Sequence, residues 1–244
     1  MLIVVLLLSV FVTAIISGIF GMAGGLILMG IYAALLPVPT AMMLHGITQL
    51  AANGSRTWFL RRHIEWRAVR RYAWGCAFSV VVLAALTIVL PAPILFLALG
   101  GIPLVVGMLP KRVAPSIDTV HGAVTCGLLV TAAQLLAGAS GPLLDVFYVR
   151  SRLDRHAIVA TKAFTQSMGH ALKLIYFGWV VPAAGLGELP SWIVPAVMTA
   201  ALVGTHVGAR LLDRLSDDRF RSWSAGIVRV LGVIFVARGI AALT

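Results

Sequence analysis

The chain has 244 residues, of which 60% are hydrophobic and only 11% charged, and its formal net charge is +11. A soluble domain is close to half apolar and about a quarter charged, so a single water-soluble globule is excluded: one core cannot hide this much apolar surface. The basic balance does not read as nucleic-acid binding, because Lys and Arg sit in short stretches between apolar runs, the placement by which membrane proteins set their orientation.

Each apolar run has to be compared with the ~20 residues a helix needs to cross the hydrocarbon. The first covers residues 2–19; it has no basic leading region and no small-residue cleavage site, and is read as a retained helix rather than a signal peptide. It breaks at Gly21-Met22-Ala23-Gly24-Gly25, and a shorter run over 26–36 stops at Pro37-Val38-Pro39. A run over 41–60 leads into a basic stretch over 61–71, expected as a loop, and runs over 72–90 and 94–109 are joined by Pro91-Ala92-Pro93. After a polar link over 111–118 the order repeats: a run over 121–137, a break at Gly138-Ala139-Ser140-Gly141-Pro142, a short run over 143–149, and longer runs over 157–179, 192–212 and 223–243. Cys76 and Cys126 both fall inside apolar runs and read as small buried hydrophobes, not as a disulfide or a metal site.

The second half copies the first. An offset of 117 carries Gly21 to Gly138, Gly24 to Gly141, Thr48 to Thr165 and Gln49 to Gln166. The charges then orient the copies. Arg61, Arg62, Arg67, Arg70 and Arg71 follow the third run, whereas the equivalent link over 178–190 has no Lys or Arg. The bare links over 37–40 and 91–93 correspond to ones carrying Arg150, Arg152 and Arg155, and Arg210, Arg214, Arg219 and Arg221. Every link that is basic in one half is bare in the other, so the positive-inside rule inserts the copies upside down relative to each other. The expected fold is an all-α integral membrane protein, one membrane domain of two inverted-topology repeats, 1–110 and 118–244. Each repeat has a Gly-broken helix or hairpin plus three transmembrane helices. Inverted repeats typify secondary transporters, with the substrate near the midplane at the repeat interface.

The candidate substrate-binding residues follow from that frame. Glycines let the backbone unwind at membrane depth, and the free N–H groups of the helix that restarts after each break suit an anion. Gly21, Gly24, Gly138, Ser140 and Gly141 are therefore candidates; the alternative is close helix packing at small residues. Gln49 and Asn53 lie four apart on one helix face, as do Gln166 and His170. Polar side chains at membrane depth face the bundle interior, either as ligands or as interhelical hydrogen-bonding glue. Arg56, Lys162, Lys173, Arg229 and Arg238 lie within about two turns of a helix end, where long basic side chains usually snorkel to the interface; of these, Arg56 and Lys173 are also candidates for charge pairing or coupling. Asp145 is the acidic residue near a break, read as an ion-pair partner ahead of a proton site. His45, His121 and His206 read as packed polar residues.

A different chemistry is also written in the chain. Gly138-Ala139-Ser140-Gly141 has the form G-x-S-G, so Ser140 with His170 or His206 as base would make a rhomboid-like intramembrane serine protease. Against it, the same break recurs at Gly21–Gly24 with Ala23 in place of the serine. Zinc motifs, nucleotide-binding loops and nucleic-acid patches are absent, and no cofactor or metal is expected. A channel would need a polar or charged ring that a single chain of two inverted halves does not supply.

The strings ISGIFGMAGGLILMGIYAALLPVP and AMMLHGITQLAANGSRTWFLRRHIEWRAV, their second-half counterparts GASGPLL and TKAFTQSMGHALKLIYFG, and the late VGARLLDRL resemble the TauE/SafE family of sulfite and organosulfonate exporters over nearly the whole chain. The resemblance implies a multi-pass carrier of the bacterial inner membrane. It would move small sulfur-containing anions such as sulfite or a C2/C3 sulfonate like sulfoacetate, with a small anion and the lipid bilayer as its partners; carriage of a non-sulfur organic anion is the remaining variant.

Overall fold

A computed structural model describes residues 1–20, 23–181, 185–187, 189–212 and 217–243. Every regular element among them is a helix, with no strand. In the first half, α1 (Leu2–Phe20) is followed by the short α2 (Ala23–Leu35), then α3 (Val38–Leu60), α4 (Trp66–Leu86) and α5 (Ala92–Gly107). In the second, α6 (Val120–Leu136) is followed by the shorter α7 (Gly141–Val146), then α8 (Arg155–Ile175), α9 (Ile193–Leu212) and α10 (Asp217–Ala241).

Local chemistry sets these boundaries. Pro37 precedes α3 and Pro91 precedes α5, each with a further proline in the first turn, where a missing N–H costs nothing. Thr119 caps α6 by accepting from the Gly122 N–H, and Asp154 caps α8 by accepting from the His156 and Ala157 N–H groups. Those two N–H bonds hold the exposed Asp154 carboxyl below its ordinary range. The basic stretch over 61–71 is not a loop. The Glu65 carboxylate accepts from the Arg67 N–H and starts α4 at Trp66, so only Arg61–His63 form a separate 3-10 turn, and Arg67, Arg70 and Arg71 ride on the first turns of α4.

Among the described residues, three helices are long and apolar enough to cross a membrane, at Leu2–Ile19, Trp66–Leu86 and Ile193–Leu211; α2, α5 and α6 are apolar but shorter. Polarity is distributed inside out. Val4, Leu8, Trp74, Phe78, Val105 and Val233 are exposed, while His45, Thr48, Gln134, Thr165, His170 and Lys173 are buried. In water that arrangement would be unstable; in lipid it is the expected one, because only polar groups need protein partners there.

The helices pack in four principal pairs: α1 on α9, α4 on α6, α3 on α8 and α5 on α10. Glycine brings backbones into contact at the first two. A Cβ on Gly75 would lie 1.9 Å from the Val124 carbonyl oxygen and one on Gly127 1.9 Å from that of Tyr72, locking α4 to α6. Gly208 meets α1 in the same way, its would-be Cβ 2.3 Å from the Ile15 carbonyl oxygen. The α3–α8 pair runs antiparallel: the His45 side chain meets Lys173, Thr57 meets Ser167 and the Glu65 N–H meets Thr161. So does α5–α10, where Gly100 meets Val236 and Gly239 meets Pro93.

Candidate functional site

The polar residues spaced along α3 and α8 face each other across their antiparallel contact, and the two glycine breaks close in on them. Between these four segments lies a cavity with about 410 Å³ of empty space, its open mouth included. Gln49, Asn53 and Arg56 line it from α3, and Gln166 and His170 from α8. Ser17, Gly25 and Leu26 contribute from the first break, and Gln134, Ala139, Ser140 and Gly141 from the second. His45 and Ala52 complete the wall.

Exposure falls steadily along both central helices and shows which way the cavity opens. On α3, Asn53 and Arg56 are half-buried, Gln49 is 7% exposed and His45 1%; on α8, Gln166 is 8% exposed, His170 2% and Lys173 0%. The mouth therefore lies at the Arg56 end, one turn from the basic Arg61–His63 turn, and the floor lies at His45.

Two hydrogen-bonded chains build the walls. In one, the Ser140 hydroxyl donates to the Gln134 Oε1 at 2.6 Å, and the Gln134 Nε2 lies 2.8 Å from the His170 Nδ1. An amide nitrogen only donates, so the ring nitrogen facing it is an acceptor. In the other, the Lys173 Nζ lies 2.7 Å from the His45 Nδ1 and donates to the Gly138 carbonyl at 3.1 Å, while the His45 Nε2 sits 2.9 Å from the Gly25 carbonyl. A carbonyl only accepts, so the His45 Nε2 carries the proton and its Nδ1 accepts from the lysine. This second chain ties the two breaks together across α3 and α8. Gly138 has φ +80, a conformation that favours glycine, and its carbonyl is thereby turned to the lysine.

At the mouth, the Arg56 Nη2 reaches the Ser17 carbonyl at 3.5 Å, and the Asn53 amide donates to the Gln49 backbone carbonyl at 3.1 Å. No Asp or Glu lines the cavity among the described residues. A guanidinium and several amides, with no opposing carboxylate among the described residues, make a small polar site whose chemistry suits an anion.

The sequence model described as "Sulfite exporter TauE/SafE" matches residues 6–235. The chain belongs to the TauE/SafE family. Members of this family are membrane transporters of sulfite and related sulfur anions. No curated protein and no solved structure matches the chain.

Within this TauE/SafE chain, the cavity gathers Gln49, Asn53, Arg56, Ser140, Gly141, Gln166 and His170 of the expected residues. Gly24 stands behind the wall: a Cβ there would lie 2.0 Å from the Thr13 carbonyl oxygen and 2.6 Å from the Ser17 hydroxyl, so it lets α2 fold back tightly on α1. Gly138 turns a carbonyl to Lys173 instead of facing the cavity, and Asp145 pairs with Lys162 away from it. Gly21 lies outside the described residues. The snorkelling expected of Lys173 is overturned, because α3 closes over its ammonium before it can reach an interface. A protease reading of Ser140 also fails on geometry. Its hydroxyl proton goes to an amide oxygen, which is no general base, and His206 is exposed on α9.

Gln134, a lone amide in the apolar α6, and His45, which reads in the sequence as a packed polar residue, both build the wall. For Gln134 the 117-residue offset contained the signal: it carries Ser17 to Gln134 and Asn53 to His170, all four in the cavity wall.

Proposed function

We propose that this TauE/SafE chain is a secondary carrier that exports a small sulfur oxyanion, sulfite or a C2/C3 organosulfonate such as sulfoacetate, across the bacterial inner membrane by alternating access. The anion is held in the α3–α8 cavity by the Arg56 guanidinium, the amides of Gln49, Asn53 and Gln166, the Ser140–Gly141 start of α7 and His170. Such a site replaces the hydration of a three-oxygen anion with fixed donors converging from several directions. The observation that carries the reading is the cavity itself: it is cationic, lacks carboxylates among the described residues, and draws its wall from equivalent positions of both halves in a chain of this family.

In this reading residues 1–110 and 118–244 are inverted repeats of one membrane domain. The helix pairing supports it. With α1 to α5 equivalent to α6 to α10 in order, exchanging the halves turns the α1–α9 pair into α6–α4, and both are principal contacts. The same exchange maps α3–α8 and α5–α10 onto themselves, and both are antiparallel, as a two-fold axis in the membrane plane requires.

Purified protein in liposomes loaded with radiolabelled sulfite or sulfoacetate should release the anion on addition of the same unlabelled anion outside. Efflux of a sulfur oxyanion that acetate and lactate do not support establishes the substrate class. Efflux of carboxylates alone keeps the carrier and removes the sulfur assignment.

A further inference from the structure

Arg56 and Lys173 are twins under the 117-residue offset, yet they occupy opposite situations. Each donates to a backbone carbonyl at the break of its own half, Arg56 to Ser17 and Lys173 to Gly138. Arg56 is half-buried and stands in the cavity mouth. Lys173 is 0% exposed and sealed one side chain beneath the cavity floor by His45, whose ring lies in the wall.

The two bonds Lys173 makes, to His45 and to the Gly138 carbonyl, tie the breaks together but do not require a cation. A buried amine is costly to charge unless an anion pairs with it, and no carboxylate among the described residues does so. The titratable groups facing it are His45 from α3 and His170 one turn earlier on its own helix; Tyr176 turns away to the Leu83 and Ile88 carbonyls, and Arg56 is on the far side of the cavity. A neutral donor would make bonds of the same kind without the cost of burying a charge. The lysine's position makes sense if an anion reaches it in another conformation.

We propose that Lys173 is the anion-binding cation of the opposite-facing state, and that the Lys173–His45–Gly25 and Lys173–Gly138 contacts are the closed gate of the state seen here. This inference rests on the carrier reading above. As one repeat rocks against the other, His45 leaves Lys173, the floor opens on the side away from Arg61–His63, and Lys173 takes the anion that Arg56 held. Arg56 is then enclosed as Lys173 is now. The exchange of roles is what two inverted copies with twin cations provide, and the gate is lost and remade without any covalent step.

The test is the Michaelis constant for anion exchange measured separately at the two faces of the liposome, on protein oriented by the accessibility of the Arg61–His63 turn. Lys173→Gln should raise the KM at the face remote from that turn by roughly ten-fold or more, the loss expected for one charge-assisted hydrogen bond, and leave the other face within about two-fold. Arg56→Gln should do the reverse, and Lys173→Arg should retain the wild-type asymmetry. Because Lys173→Gln could disturb folding, Lys173→Cys provides a second arm. A cationic aminoethyl thiosulfonate added at the remote face during exchange should restore transport, and its anionic sulfonatoethyl analogue should not. Equal effects of Lys173→Gln on both faces, or a Lys173→Cys protein that reacts only from the Arg56 side, overturn the assignment while leaving the carrier intact. A wild type that exchanges no anion overturns the carrier reading itself.

Discussion

At the scale of single residues, charge and amide count decide what the cavity holds. Arg56 presents the guanidinium of the mouth, and its one side-chain bond among the described residues is to a distant backbone acceptor at 3.5 Å. Arg56→Gln should weaken anion-induced thermal stabilisation of the detergent-purified protein by roughly ten- to a hundred-fold in apparent affinity, since hydrogen bonds to charged groups contribute about 1.5–3 kcal/mol. Gln49→Ala and Gln166→Ala each remove a neutral donor and should cost about five-fold, near 1 kcal/mol; an unchanged stabilisation would make these amides helix glue. Ser140→Ala keeps the backbone N–H groups of the wall but frees Gln134, so it should weaken transport by no more than about five-fold and lower stability by about 1 kcal/mol, the loss of one bond to Gln134. A cleaved transmembrane substrate that depends on Ser140 would reverse that conclusion. The pairs at i and i+4 on α3 and α8 were legible because helical spacing alone puts them on one face. Lys173 was not: its distance from the helix end suggests an interface, and only the antiparallel α3 laid across it shows that no interface is within reach.

At the scale of elements, glycine and proline punctuation located the breaks, the short α2 and α7 and the starts of α3 and α5. Side-chain capping moved what punctuation could not specify. Glu65 pulls the start of α4 back to Trp66, and Asp154 starts α8 at Arg155. The glycines have two different tasks, and their spacing does not separate them. Gly75 and Gly127 hold α4 and α6 backbone to backbone, whereas a Cβ on Gly101 of α5 would meet nothing within 4 Å. Gly75→Leu should therefore force the pair apart and destabilise the protein by about 1–3 kcal/mol or more, seen as a lower Tm in detergent. Gly101→Ala should instead be neutral or stabilising by up to about 1 kcal/mol, through helix propensity. Equal effects at the two sites would mean that the α4–α6 crossing does not depend on close approach.

At the scale of the whole molecule, the inside-out distribution of polarity and the pairing of helices carry one consequence that any carrier or scaffold role must share: a defined sidedness. The parallel contact of α1 with α9, in which Phe11 meets Gly204 and Ile15 meets Gly208, gives both helices the same direction across the membrane. If the basic Arg61–His63 turn and the Arg150–Arg155 link are cytoplasmic, α3 runs inward and α4 outward. The turn before Pro91 then faces outward, α5 returns inward, α9 runs inward and α10 ends outside. α1 runs inward with α9, so residue 2 begins outside and the α1–α2 fold-back returns the chain to Pro37 on the same face. Alkaline phosphatase fused after Thr87 or after residue 243 should accordingly be active, and fused after Arg62 or Ser151 inactive, with fluorescent-protein fusions giving the converse. Activity after Arg62 together with inactivity after Thr87 would invert the molecule: the cavity mouth would face outward, and Arg56 and Lys173 would exchange sides. The charge asymmetry makes that inversion costly, because the arginines of the Arg61–Arg71 segment and of the Arg150–Arg155 link would all have to cross, against none in the links at 37–40 and 91–93.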